Sequence, residues 1–194
     1  MKYVINSKYI KGNLYLYEED KRAVAKFFRE NPEAKDLLDD NKLDELYDVW
    51  FFKHPGDTRS ESLLTTVLLV SGIEILDHLT KIPCRCFIDL SQLESVVIPN
   101  NIKVIGDMAF GHNTWLEKII IPNSIEEIES WAFFDCPSLR DGVTIPASVQ
   151  FMGEGVFGYC NSLGTIHCEA EEKPFGWHVH WKGHNPAEVV WDCK

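Results

Sequence analysis

Residues 93–115 read LESVVIPNNIKVIGDMAFGHNTW, residues 116–138 read LEKIIIPNSIEEIESWAFFDCPS, and residues 139–162 read LRDGVTIPASVQFMGEGVFGYCNS. Aligned on Leu93, Leu116, Leu139 and Leu163, these copies are 23, 23 and 24 residues long, with the extra residue near Gly142. Each carries an Ile-Pro pair: Ile98-Pro99, Ile121-Pro122 and Ile145-Pro146. A β-branched residue follows (Ile102, Ile125, Val149), then an apolar one (Ile105, Ile128, Met152), then a small residue before Phe. Those last pairs are Ala109-Phe110, Ala132-Phe133 and Val156-Phe157. Copies in register at this period specify a solenoid, in which no unit buries its apolar face alone.

The period converts into geometry. Leu93, Val96 and Ile98, like Leu116, Ile119 and Ile121, end in a strand-like alternation. Stacked copies would pair these strands in parallel, one rung per copy. The proline that follows has no N–H for the ladder, so it closes the strand. Phe110, Phe133 and Phe157 are expected to stack inside the coil. Three residues beyond each stand Asn113, Cys136 and Cys160, where a small, partly polar side chain can meet the turn backbone. The remaining strand positions are expected to face solvent as one row: Glu94, Ser95 and Val97, then Glu117, Lys118 and Ile120, then Arg140, Asp141 and Thr144.

The strings IPNNIKVIGDMAF, IPNSIEEIESWAFFDC and IPASVQFMGEGVFGYC resemble the BspA-type leucine-rich repeat, with its I-P-x-S-V-x-x-I-G-x-x-A-F-x-x-C-x-x-L signature. Departures are Asn113 where the family usually has Cys, Glu129 where it has Gly, and Val156 where it has Ala. Members of that family are interaction modules, so the resemblance implies binding rather than chemistry. The tail CEAEEKPFGWHVHW…VVW is similar to the end cap that follows such repeats. The forepart GIEILDHLTKIPCRCF is similar to the leading segment of phage-encoded and some bacterial members.

The fold class read from these patterns is α+β: a short leucine-rich-repeat solenoid with a parallel β-ladder, an α-rich N-terminal domain before it, and a Trp-rich C-terminal cap after it. The expected divisions are 1–58, 59–92 for a capping helix and degenerate first repeat, 93–168 for the repeats, and 169–194 for the cap. Lys2–Ile5 and Leu14–Tyr17 suit a hairpin turning at Lys11-Gly12-Asn13. A first helix is expected from about Glu19 to Arg29, with Asn31-Pro32 breaking it. In a second helix Leu43, Leu46, Tyr47, Trp50 and Phe51 form an apolar stripe, with Asp36, Asp39, Asp40, Asp44, Glu45 and Asp48 opposite. His54-Pro55-Gly56-Asp57 marks a boundary, and a helix capped by Ser60 and ended by Gly72 would cover the open end of the stack. Ile73–Phe87 reads as the degenerate repeat, with Ile82-Pro83 echoing the later Ile-Pro pairs. Trp177, Trp181 and Trp191 would seal the far end, with Val189-Val190-Trp191 as a last strand.

Charge narrows the partners. Residues 1–60 hold 12 acids and 11 bases, and residues 61–194 hold 18 acids and 8 bases, so nearly all of the net −11 falls on the repeats. Such a surface repels phosphate backbones and suits a basic protein surface. No stretch reaches the roughly 18 apolar residues of a membrane span, and the N-terminus lacks the apolar region of a secretory signal. A cytoplasmic protein is expected, in the host cytoplasm if phage-encoded, with homo-oligomers allowed.

Chemistry is scarce. His178-x-His180-x-x-x-His184 with Cys168 and Cys193 offers ligand types that zinc accepts, but the spacing matches no zinc module and the stretch fits a cap. Cys84-x-Cys86 is not a redox pair. No catalytic residue, metal or cofactor is assigned, and no enzyme is expected. The reading is a protein-binding module, in its sharpest form a phage-encoded inhibitor of a host defence or nucleic-acid-handling protein. The alternative is a surface, adhesin-like or self-associating repeat protein. Its partner would dock on Glu94, Val97, Glu117, Lys118, Ile120, Arg140, Asp141 and Thr144, or on the acidic helix face around Asp40, Asp44 and Asp48.

Overall fold

The structure is a computed structural model that describes residues 2–4, 10–12, 15–33, 35, 79–90 and 92–192. From residue 79 onward the chain winds as a parallel β-solenoid of about five coils. Each coil lays one strand on one side: β5 (Leu93–Val97), β7 (Lys118–Ile120), β9 (Val143–Ile145) and β11 (Thr165–Cys168). It lays a two-residue strand on the other: β6 (Val104–Ile105), β8 (Glu127–Ile128) and β10 (Phe151–Met152). The short strands form one parallel sheet with β4 (Lys81–Ile82), in the order β10-β8-β6-β4.

The repeat residues do what their spacing demands. Ile98, Ile121 and Ile145 are buried, and at each following proline the carbonyl takes a bond from the N–H three residues on. Ile102 N–Pro99 O, Ile125 N–Pro122 O and Val149 N–Pro146 O are each 3.1 Å. Proline thus ends the strand and starts the corner. Inside the coil Phe87, Phe110, Phe133 and Phe157 stack with centroid separations of 5.2, 5.3 and 5.6 Å, all four with no exposed surface. Near-parallel rings at this distance add to the area term that burying each phenyl already supplies.

Two corners of each coil bend through left-handed backbone. The residues two before and two after the ladder Phe have positive φ: Met108 and His112, Trp131 and Asp135, Gly155 and Tyr159. The extra residue of the third copy is absorbed at Gly142, φ +75, beside β9. There the long sheet divides into β2-β5-β7 and β12-β11-β9, where β2 is Ile10–Gly12 and β12 is Glu188–Trp191.

Several expectations need correcting. The described part of residues 1–58 holds three short strands and one helix, and the residues expected to form the second helix lie outside it. β1 (Lys2–Val4) and β3 (Tyr15–Tyr17) pair antiparallel, as a hairpin would, but Ile10–Gly12 is not its turn. It is a strand that leaves to pair antiparallel with β5, Ile10 opposite Val96. The helix α1 spans Glu18–Glu30, with acids in its first turn, Arg29 in its last, and Val24 and Phe27 buried. Asn31 closes it, its backbone N–H and side-chain Nδ2 both donating to Phe27 O at 2.9 and 3.0 Å. The second helix, the His54–Asp57 boundary and the Ser60 helix lie outside the described residues.

Ile82-Pro83 is also out of the expected place. Ile82 pairs with Ile105, so this dipeptide sits in the register of Ile105-Gly106, on the short-strand side. The Trp-rich tail, finally, is not a separate cap but a further coil. Trp177 bridges Met152 in parallel, Trp181 packs edge-on against Phe157 at 6.4 Å, and β12 pairs in parallel with β11. A tryptophan replaces phenylalanine at the ladder, and the stack goes on.

Candidate functional site

Of the residues expected to face solvent as one row, those of β5 and β7 lie on one parallel pair, Thr144 lies on β9 in the second sheet, and Arg140 and Asp141 precede β9. In register, Ser95 lies beside Lys118 and Val97 beside Ile120. Thr144 lies beside His167, which lies beside Val190. Alternate side chains point inward, where Leu93, Val96, Ile119, Val143 and Ile145 are buried. Lys118, Arg140, Asp141 and Thr144 are exposed, while Glu94 and Glu117 are half-buried. Val97 is 40% and Ile120 46% exposed, two β-branched side chains side by side in water.

The charges on this face are partly paired. Arg140 Nη2 lies 2.7 Å from Glu117 Oε1, tying the second coil to the third. Arg140 is exposed and Glu117 only half-buried, so the pair is worth no more than about 1 kcal/mol. The face therefore offers an apolar centre at Val97 and Ile120 with mixed charge around it. Asp40, Asp44 and Asp48 lie outside the described residues.

Below the face, the fourth column holds the turns together. Asn113 Nδ2 donates to Phe87 O and Phe110 O, both at 2.8 Å. Cys136 Sγ donates to Phe110 O at 3.2 Å and Cys160 Sγ to Phe133 O at 3.1 Å. Asn185 completes the column on Phe157 O at 2.8 Å. Asparagine thus does the work of the family's cysteine, because either side chain brings a donor to the carbonyl of the preceding coil. A hydrogen bond with Cys160, and then burial, push the Cys136 thiol well above its ordinary pKa. It stays protonated, and a buried neutral thiol is a poor nucleophile and a poor metal ligand.

The C-terminal histidines do not converge with Cys168. His178, His180 and His184 are exposed while Cys168 is buried in β11, and Cys193 lies outside the described residues. His178 Nδ1 instead accepts the His180 backbone N–H at 3.2 Å. Among the described residues no group of three or more His, Cys, Asp or Glu stands together as metal ligands.

Glu129, noted as a departure from the repeat, is drawn inward. Its carboxylate takes Lys81 Nζ at 3.0 Å and Asp107 N at 2.8 Å. What the repeat reading missed is a set of exposed aromatics: Trp115, Trp131, Phe151, Tyr159 and Phe175. Their signal was an aromatic at positions the repeat does not require to be apolar.

A family model described as the BspA type leucine-rich repeat region, in 6 copies, matches residues 66–180. Among solved structures, a leucine-rich repeat protein from Bacteroides capillosus is 27% identical, with a TM-score of 0.43, over 47% of this chain and 64% of that one. A leucine-rich repeat protein of T. pallidum is 25% identical, TM-score 0.38, over 46% and 52% of the two chains. A leucine-rich cell surface protein from Faecalibacterium prausnitzii is 23% identical, TM-score 0.37, over 58% and 34%. The chain thus spans less than two thirds of each of these proteins. No curated protein matches it.

Proposed function

The chain belongs to the BspA-type leucine-rich repeat family, and from that premise we propose that it is a non-enzymatic binding protein whose partner docks on the outward row of β5, β7 and β9. Leucine-rich repeat proteins are generally protein-binding or surface modules, and the fold is typically structural or binding rather than catalytic. The observation that carries the choice of face is the adjacent pair Val97 and Ile120, exposed in register on neighbouring strands. Solubility alone would place polar residues there.

The partner is a protein with a basic surface, since the excess acid of residues 61–194 disfavours nucleic acid. A narrower form of the proposal is a phage-encoded inhibitor acting in the host cytoplasm on a nucleic-acid-handling protein, whose basic cleft an acidic surface would fill. It rests on the acidity and on the forepart at Gly72–Phe87.

The test is affinity capture from a host lysate with the wild-type chain and with the double variant Glu117→Arg, Ile120→Asp. Loss of the captured protein, with an unchanged thermal melt, supports the face. If that variant captures normally while charge reversal at Asp40, Asp44 and Asp48 abolishes capture, the repeats are a scaffold and residues 1–58 carry the binding.

A further inference from the structure

Three consecutive coils expose large apolar side chains on the edge that runs from the short strands into the left-handed corners. Trp131 N bonds Glu154 O at 2.8 Å, Gly155 N bonds His180 O at 2.9 Å, and His178 N bonds Met152 O at 2.8 Å. These bonds lay residues 175–180 alongside 151–155, and 131 alongside 154. Trp131, Phe151, Phe175 and Val179 are all exposed: Phe151 and Phe175 lie on adjacent coils, and Val179 lies two coils from Trp131 with Gly155 between them. Their exposures are 39%, 45%, 105% and 73%, far from the way such side chains are normally placed.

Trp131 is held there at some conformational cost. It sits at φ +55, where a bulky residue is an outlier, and its indole lies over Gly155 of the next coil. A Cβ on Gly155 would stand 2.7 Å from the indole Cδ1, so the neighbouring coil keeps a bare backbone beneath the ring. The same corner is left-handed at Arg85, Met108 and Gly155, so the repeat sets this backbone and Trp131 is the bulky side chain placed on it.

The charge around this patch is predominantly negative. Residues 126–192 carry eleven carboxylates and three bases. Of the bases, Arg140 pairs with Glu117 at 2.7 Å, while Lys173 Nζ and Lys182 Nζ donate to the neutral carbonyls of Trp177 and Ala187 at 2.9 and 2.8 Å and keep their charge. Among the described residues Glu127, Glu154, Glu171 and Glu172 meet no cation. An apolar centre with an unneutralised acidic rim is complementary to a cationic, apolar-anchored strand of peptide. An arginine would stack on the Trp131 face while its neighbours met the glutamates.

We propose that Trp131, Phe151, Phe175 and Val179 form a second docking surface, separate from the β5–β7–β9 row, for a linear arginine-rich segment with apolar anchors. The site reads such a segment by two things at once, its positive charge and its apolar side chains. Neither alone suffices.

The test uses the full chain and synthetic peptides alternating arginine with leucine, titrated by calorimetry at low and high salt. Controls are the same peptide with citrulline for arginine, and oligo-arginine without leucine. Expected is saturable, salt-weakened binding of the arginine–leucine peptide. Affinity should fall at least about tenfold in Phe151→Ser with Phe175→Ser, and be unchanged in Ile120→Asp, which alters the other face. Phe175 makes no buried contact to lose, so Phe175→Ser alone, with an unchanged melt, reports binding without unfolding. Three results overturn the proposal. One is equal binding by the double serine variant or by oligo-arginine, which would mean charge alone. Another is the absence of saturable binding. The third is wild-type self-association that the double serine variant lacks, which would mean that a second copy covers the patch.

Discussion

Glu129 reaches Lys81 across an entire intervening coil, its Oε1 3.0 Å from an Nζ that lies 48 residues earlier in the chain. The path is open because the position between them is Gly106, which has no side chain to block it. A Cβ there would already stand 2.7 Å from Cys84 N. The pair is three-quarters buried, and the other carboxylate oxygen accepts Asp107 N at 2.8 Å.

Removing that carboxylate takes one ion partner from a partly buried ammonium and the acceptor from a backbone N–H. Glu129→Ala should cost about 1–3 kcal/mol in denaturant unfolding, with a coupling to Lys81→Met that a double-mutant cycle resolves. Coupling within error of zero would show that Lys81 gains nothing from Glu129.

The phenyl ladder sets a second expectation. Phe133 is sandwiched between Phe110 and Phe157 with no exposed surface, so Phe133→Ala should destabilise by about 3–5 kcal/mol. A loss under about 1 kcal/mol would remove the ladder from the core.

Gly155 ties a corner to its neighbour. At φ +61, and with an indole 2.7 Å from where a Cβ would go, Gly155→Ala should cost about 1–3 kcal/mol. Trp131→Ala should restore only the steric part, leaving the φ strain. Full rescue, or none, would contradict this division.

Asp107 gives the pH dependence. Burial raises its carboxyl pKa above 3.8, Arg85 pulls it back down, and Glu129 adds to the rise. A raised acid is protonated more readily in the folded state, so stability contributed by its neutral form is present at low pH. It is lost as pH climbs from 3.8 through the folded value. Asp107→Asn should therefore gain on the wild type in melting temperature as pH rises across that window. A difference that is flat with pH would show that Asp107 titrates as it does unfolded.

The coils from Leu93 to Leu163 were legible because every inward position of the repeat is a requirement of stacking, and Ile98, Phe110 and Cys136 recur at fixed offsets. The coil holding Trp177, Trp181 and Asn185 was read as a cap because substitution hid its period. A larger ring fills the ladder place and an amide fills the thiol's. Ile82-Pro83 misled by matching a dipeptide whose register only pairing could reveal. Ile10–Gly12 misleads because Lys11-Gly12 has the residues of a turn, whereas a three-residue strand is chosen by the edge it meets rather than by its own residues. The outward row at Val97 and Ile120 followed from strand alternation. The Trp131 patch did not, because it comes from coils placed side by side.

The antiparallel contact between β2 and β5 has a bearing on how the chain reaches this state. Ladder neighbours within the stack lie 23 or 24 residues apart, whereas Ile10 opposite Val96 closes a loop of more than eighty residues. Loop closure of that length is the slow, entropically expensive kind, and it finds no edge to pair with until the Leu93 strand exists. The coils can therefore zip from one to the next by local steps while the N-terminal segment, though synthesised first, docks late. During synthesis that segment must pass from the ribosome with its partner strand still unmade, which leaves a stretch of backbone open to other partners for that interval.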